Sequence, residues 1–522
     1  MIKSLMLAVT ILTQGGGYYS SVARNIQRWL KSENIEAKVV SKVELPSTEK
    51  LAFLVGFENP SASEIATLKA FRDRGGKMVV FYSASAKLGE LMGVKPVGFS
   101  SAAYPGAWSQ MNFTSKVPEG LPIAVRQTST VLQRVRPIAG KSRVIATWVD
   151  RNGKGTGEPA WLASAGGFWM THVLTADGDE DLKARLCASI VGMVEPKKWN
   201  FNSYTRRRNA KTRFWKEYAL QQQPRRAEIH AVWDHTGAGL YPGDWPRTIK
   251  LLKESHVTDL FVNVAGAGFA HYPSKVLPRS KLYAQEGDQL AACIKAAAGS
   301  GSRVHAWILC FSGAWATPDR MKIFADRGWR LKLKNGELTE YLNPALPEVR
   351  TYLISAIDEL QRNYPIAGIH LDYVRWGDGT VRPKNAAEEV TRFVSEVRAH
   401  VKRPKWLTAA VYGKHPQCVA SVGQDWYLWQ DANLIDYAVP MDYSASRQVF
   451  EELVANQSLK RSRAQKTIAG IGVTANESRL DAQQVIDQIL ISRKCNLAGN
   501  ALFDLDVTLE TAILPYLRLG IW

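Results

Sequence analysis

Asp372 closes the apolar run Ala367-Gly368-Ile369-His370-Leu371, and Arg375 follows it by three residues. A carboxylate set beside a fixed cation is kept ionised and oriented, as a nucleophile must be, although the same pair also serves as a plain salt bridge at a strand end. Polar residues close other apolar runs in the same way: Asp234 with His235, Asn263, Trp307, Tyr412 with His415, Asp442 with Tyr443, Asn476 and Asp504. Gathered in one mouth, they would offer carboxyl groups to break a bond, flat rings to meet a pyranose and amides for its hydroxyls. That is the equipment of sugar chemistry. Trp233, Trp307 and Trp376 are the rings expected against a sugar, with core packing as the alternative for each. Asn263, His235 and Arg375 are the expected hydroxyl or carboxylate contacts, with Tyr373 and Tyr443 beside the two leading carboxyls.

Such a mouth needs strands that end together. From residue 227 short apolar runs recur, each followed by a loop and a helical pattern: Glu228–Trp233, Asp259–Val264, Arg303–Leu309, Gly368–Leu371, Trp406–Val411, Asp436–Met441, Thr467–Val473 and Asn500–Phe503. Trp245–Ser255, Gly287–Ala298, Pro347–Asn363, Ala386–Val401, Asp481–Lys494 and Leu509–Leu519 carry the 3.6-residue spacing of the intervening helices. Eight strands alternating with helices predict a (β/α)8 TIM barrel over 227–522. Its chemistry belongs at the carboxyl ends of the strands, where the loops converge.

The first half reads as a smaller, doubly wound α/β domain over 1–195. Leu5–Thr13, the turn Gly15-Gly16-Gly17 and a helical pattern over Ser20–Ser32 open it, and alternation continues through Leu51–Phe57, Ser63–Arg74 and Met78–Tyr82. The glycine turn lacks the spacing of a dinucleotide loop and has no Lys-Ser/Thr pair, so no cofactor is expected. Met1-Ile2-Lys3-Ser4 before Leu5–Leu12 also fits a secretion signal, but no small-x-small cleavage site follows and a first strand is the preferred reading. Asp150–Gly155 predicts a late hairpin, and 196–226, with Trp199, Phe201, Phe214, Trp215 and eight arginines and lysines from Arg206 to Arg226, a basic and aromatic linker.

The 67 basic and 48 acidic residues give +19, and the charge is uneven: residues 1–226 hold 33 basic and 17 acidic residues, the remainder 34 and 31. A basic half permits an anionic partner, yet charge bears on solubility and non-specific binding before it bears on function, and nucleic acid is not the expected partner. Five dispersed cysteines without a C-x-x-C pair indicate neither a disulfide framework nor a zinc site; Cys187, Cys293 and Cys310 read as small buried apolar residues. No two histidines stand at ligand spacing on one element, which argues against a metal-dependent hydrolase, and no apolar stretch is long enough to span a membrane.

Two resemblances add to this. Val79-Val80-Phe81-Tyr82-Ser83-Ala84-Ser85 resembles the strand and turn where glutamine amidotransferase-like domains hold a cysteine nucleophile; with Ser83 and Ser85 there instead, the likeness implies a non-catalytic domain. The segments EIHAVWDHTG, FVNVAGAGFAHYPSKVLPRS, VHAWIL, LNPALPEVR, GIHLDYVRW, QDWYLWQDANLIDYAVPMDYS and GIGV, in that order, resemble the glycosyl-hydrolase-like ten family over most of 227–510. The resemblance implies a glycoside hydrolase related to the α-galactosidase-like clan, acting on a carbohydrate in the periplasm or after secretion. It also implies Asp372 as nucleophile and Asp442 as acid/base, with Asp504 or Asp234 as alternative acids. Two carboxyls about 5–5.5 Å apart retain the anomeric configuration and about 6.5–9.5 Å invert it; the retaining form is expected here. The acid would need a raised pKa, which Tyr443, Pro440 and repulsion by Asp372 would supply to Asp442. The rivals are a carbohydrate-binding protein without the second acid, and a basic module for glycan or nucleic acid centred on 197–226.

Overall fold

The computed structural model describes residues 8–114 and 118–522, so the first part of the opening run lies outside the described residues. The chain divides into two compact units, Met1–Arg213 and Phe214–Trp522. The division falls within the helix Phe201–Leu220. The segment expected as a linker is thus largely helical. Arg207 and Arg208 pair with Glu33 and Asp181 in the first unit, and Tyr218 donates to Asp487 at 2.6 Å in the second.

In the first unit, strands Ala37–Val40, Val9–Thr13, Leu51–Val55, Lys77–Phe81 and Gly167–Met170 lie side by side in that order, all parallel. Alternation sorts their side chains. Val9, Ile11, Phe53, Val55, Val79 and Phe81 pack with Ile26 and Trp29 of the helix Gly17–Ser32, whereas Leu12, Ala52, Leu54, Met78 and Val80 pack with Leu68 and Phe71 of the helix Ala62–Asp73. Helices on both faces make the unit doubly wound. The sheet does not stay parallel: Gly155–Ser164, Ser142–Val149, Trp108–Phe113 and Ala124–Ser129 extend it antiparallel, and the hairpin at Asp150–Gly155 joins two of these.

The corner after Lys77–Phe81 holds no free hydroxyl nucleophile. The buried Ser83 hydroxyl donates to the Phe57 carbonyl at 2.6 Å, and the Ser85 hydroxyl accepts from Leu88 N–H to cap the helix Ala86–Met92.

In the second unit eight parallel strands close into a barrel: β1 Ile229–Asp234, β2 Asp259–Gly266, β3 Arg303–Leu309, β4 Gly368–Asp372, β5 Trp406–Tyr412, β6 Tyr437–Met441, β7 Ile468–Gly472 and β8 Gly499–Phe503. Pairing of β1 with both β2 and β8 removes every edge. The short strand Phe269–Ala270 adds antiparallel to the end of β2. Ile229, Ala231, Trp233, Phe261, Trp307, Leu309, Val439, Ile468 and Ala501 fill the interior, while a larger apolar layer joins the strands to the surrounding helices.

One polar chain threads that interior. Trp233 Nε1 donates to His370 Nε2 at 2.9 Å, and His370 Nδ1 lies 2.8 Å from Thr408 Oγ1. An indole N–H can only donate, so Nε2 is the acceptor and Nδ1 carries the proton. Burial pushes this imidazole well below its usual range, and it stacks on Phe261 at 4.2 Å. Four of the five cysteines are buried, including Cys187, Cys293 and Cys310, and none is bridged. Among the described residues no helix is long and apolar enough to cross a membrane.

Candidate active site

A cavity of about 790 Å³ opens at the carboxyl ends of the barrel strands, lined among others by His235, Trp307, Trp315, Asp372, Arg375 and Tyr443. Asp372, only 7 % exposed, lies at its floor. Its Oδ1 accepts from Tyr373 N–H at 2.6 Å, its Oδ2 from Trp307 Nε1 at 3.2 Å, and Arg375 Nη1 stands 3.9 Å from Oδ1. Burial pushes the carboxyl above the ordinary Asp range, while the Arg375 cation and the Tyr373 and Trp307 N–H groups pull it back.

The backbone contributes to this aim. Tyr373 has φ 49°, the left-handed region, which costs a side-chain-bearing residue about 1–3 kcal/mol and tends to persist where function demands it. The turn directs the Tyr373 N–H at the carboxylate. Arg375 is held between the Tyr373 and Tyr412 rings, 4.1 and 4.6 Å from their centroids. Its Nε and Nη1 make no hydrogen bond, and Asp378 stands 3.8 Å from Nε.

Aromatic rings also line the cavity. His235 lies 5.9 Å from Trp307, 5.3 Å from Trp315 and 5.8 Å from Phe503 between centroids, and Tyr443 stacks on Phe503 at 5.5 Å. Trp315 is half exposed, so a flat apolar face remains open to a ligand.

The structure gathers seven of the sequence-predicted residues on this cavity: Asp372, His235, Trp307, Tyr373, Arg375, Tyr412 and Tyr443. The others lie elsewhere. Trp233 is buried in the barrel interior and bonded to His370, and Trp376 is buried with its indole N–H on the Val381 carbonyl; both are packing residues and not sugar platforms. Asn263 donates to the His235 carbonyl at 3.1 Å and so holds the loop that presents His235.

The alternative acids are occupied too. Asp234 accepts from Thr236, Gly237 and Gly239, which pins its own turn. Asp504 accepts from the Thr474 hydroxyl at 2.7 Å. Asp442 sits behind the cavity wall: its Oδ1 accepts from Gln457 at 2.7 Å, Oδ2 is buried without a partner, and the residue does not line the cavity.

Three features escape sequence reasoning. Trp315, Asp378 and Glu477 line the cavity from loops after β3, β4 and β7, where no apolar run flags them. Among the described residues no group of three His, Cys, Asp or Glu side chains is placed to hold a metal ion.

Two outcomes follow for the wall around Asp442. A Cβ at Gly413 would lie 2.0 Å from Asp442 Oδ1, so Gly413→Ala is expected to destabilise the fold by about 1–3 kcal/mol, read as a lowered Tm. An unchanged Tm would mean that the carboxyl moves freely. Burial also holds the Asp442 carboxyl well above the ordinary range. The folded chain therefore keeps that proton more tightly than the unfolded one; this stabilisation is complete below the unfolded pKa of about 3.9 and is lost as pH rises through the folded value. Asp442→Asn is expected to match or exceed the wild-type stability at neutral pH, with any advantage narrowing on acidification, as denaturant unfolding at pH 7 and pH 4 would show.

Residues 244–378 match the family described as Glycosyl hydrolase-like 10, about a quarter of the chain. No curated protein matches. Among solved structures, the PgaB (BpsB) glycoside hydrolase domain from Bordetella bronchiseptica is similar at 13 % identity and TM-score 0.44, over 56 % of this chain and 99 % of that one. An alpha-L-fucosidase isoenzyme from Paenibacillus thiaminolyticus is similar at 12 % identity and TM-score 0.40, over 56 % and 48 %. A chitinase from Rhizomucor miehei is similar at 13 % identity and TM-score 0.36, over 56 % and 98 %.

Proposed function

We propose that this protein is a glycoside hydrolase that cleaves an oligo- or polysaccharide with retention of anomeric configuration, Asp372 being the nucleophile. One observation carries the reading: a buried carboxyl at the floor of an aromatic, open cavity, held by two N–H donors and beside a cation that does not close on it. A structural ion pair would be bonded at short range, whereas the 3.9 Å gap to Arg375 leaves Asp372 free to react. The family match over 244–378, which contains Asp372, supports the same class.

In this reading Asp372 attacks the anomeric carbon while a second carboxyl protonates the departing oxygen; water then displaces Asp372. Trp307 and Tyr373 hold the attacking group in line, and His235 and Trp315 face the sugar. The first unit is the non-catalytic, amidotransferase-like domain, supported by the bonded hydroxyls of Ser83 and Ser85. Following the family resemblance, we place the activity in the periplasm or outside the cell.

The test is covalent capture. Incubation with 2,4-dinitrophenyl 2-deoxy-2-fluoroglycosides of several sugars and both anomers should leave a glycosyl adduct on the peptide carrying Asp372, located by mass spectrometry. Turnover of natural glycans without any adduct at Asp372 would remove it as nucleophile.

A further inference from the structure

We infer that Glu477, on the loop after β7, is the general acid and base that works with Asp372. This rests on the hydrolase reading above and assigns the carboxyl which that reading leaves open.

Three carboxyls line the cavity: Asp372, Asp378 and Glu477. Asp378 follows Asp372 by six residues on the same loop, accepts from the Tyr412 hydroxyl at 3.0 Å and faces Arg375 Nε at 3.8 Å. Its carboxyl is thus already engaged, by the Tyr412 hydroxyl and by the charge of Arg375. Glu477 differs: it is exposed to the cavity, and no hydrogen bond or ion pair engages its carboxyl among the described residues. β7 stands three strands from β4 around the eight-stranded closure, so the loop after β7 approaches the mouth from another side than Asp372.

The loop that carries Glu477 is built, not slack. Thr474 N–H donates to the Phe503 carbonyl at 3.1 Å and its hydroxyl to Asp504 Oδ1 at 2.7 Å. The Ser478 hydroxyl donates to the Gly472 carbonyl at 2.5 Å, and Leu480 N–H to Val473 at 3.0 Å. Asp504, itself off the cavity, is thereby a positioning residue for the loop. Tyr443 lines the same cavity as Asp372 and Glu477: burial pushes its phenol well above the usual range, and the charges of Asp372, Asp504, Glu477 and Asp442 add to that push.

The chemistry balances with these two residues and water. As Asp372 Oδ bonds to the anomeric carbon and the glycosidic C–O bond breaks, the Glu477 proton passes to the leaving oxygen, which departs as an alcohol. Glu477, now a carboxylate, takes a proton from water as the water oxygen bonds to the anomeric carbon and Asp372 leaves as carboxylate.

The experiment compares wild type, Glu477→Gln, Glu477→Ala and Asp442→Asn on 4-nitrophenyl and 2,4-dinitrophenyl glycosides of both anomers and on oligosaccharides. Both Glu477 variants should lose about 10²–10⁴-fold in kcat/KM on oligosaccharides and much less in the glycosylation step with the 2,4-dinitrophenyl leaving group, which needs no proton. Sodium azide should restore turnover of the dinitrophenyl substrate by Glu477→Ala and give a glycosyl azide of retained configuration. A Glu477 variant within threefold of wild type on oligosaccharides, or the same leaving-group and azide signature in Asp442→Asn, overturns the assignment and leaves the hydrolase reading standing. A folded wild type inactive on every substrate overturns both.

Discussion

Asp372→Asn is expected to lower kcat on any cleaved glycan by at least about 10³-fold while leaving KM and Tm close to wild type. The amide has the shape of the carboxyl, and its oxygen can still accept from the Tyr373 N–H now 2.6 Å from Oδ1. What it lacks is the negative charge that bonds to the anomeric carbon. Binding of an uncleaved oligosaccharide, measured by calorimetry, should survive in the variant, because His235, Trp307 and Trp315 still line the cavity. If instead kcat stays within tenfold, Asp372 is a structural carboxylate. If wild type and variant bind alike and neither cleaves, the barrel is a sugar-binding protein.

The barrel is legible in the sequence because its strands are buried on both faces and read as apolar runs bounded by loops. Arg303–Leu309 begins and ends where periodicity puts it, and the other seven strands shift by at most about two residues at either end. The first unit is legible only through its parallel part. Its antiparallel extension consists of half-exposed strands such as Ser142–Val149, whose mixed pattern shows burial only once neighbours pair. The helix at Phe201–Leu220 is hidden for a related reason: its arginines and scattered aromatic residues make no single apolar stripe.

Parity explains which site residues could be placed and which could not. Successive side chains in a strand face opposite ways. In β4 the inward residue His370 puts Asp372 inward as well, two positions on. In β6 the inward set ends at Met441, which lines the cavity, so Asp442 turns behind the wall to Gln457. Trp233 and Phe503 point inward in β1 and β8, and the next residues, Asp234 and Asp504, turn away to bind their own loops. Strand-end position alone thus gathers four aspartates, and the two-residue period admits one. Glu477, Asp378 and Trp315 lie outside any strand, where loop conformation and not periodicity fixes direction.

Arg375 offers the second large effect. Its guanidinium is buried between the Tyr373 and Tyr412 rings, with Asp372 and Asp378 at 3.9 and 3.8 Å and two nitrogens without a hydrogen bond. Burial raises the Asp372 carboxyl, and the Arg375 cation is the largest influence holding it down. Asp372 must be ionised to attack, so the acid limb of the rate profile should lie above the ordinary Asp range. Removing the cation as Arg375→Met takes away the lowering influence; the carboxyl rises further, less of it is ionised at a given acid pH, and the limb moves to higher pH. We expect kcat/KM to fall about tenfold at the acid end and under about threefold on the neutral plateau, since tenfold corresponds to only about 1.4 kcal/mol. Arg375→Lys should restore part of the shift but not the packing between the two tyrosines, because an ammonium is compact where a guanidinium is flat. An acid limb that stays in place in both variants would show that Arg375 does not tune Asp372. Uniform loss at every pH would assign the arginine to substrate binding.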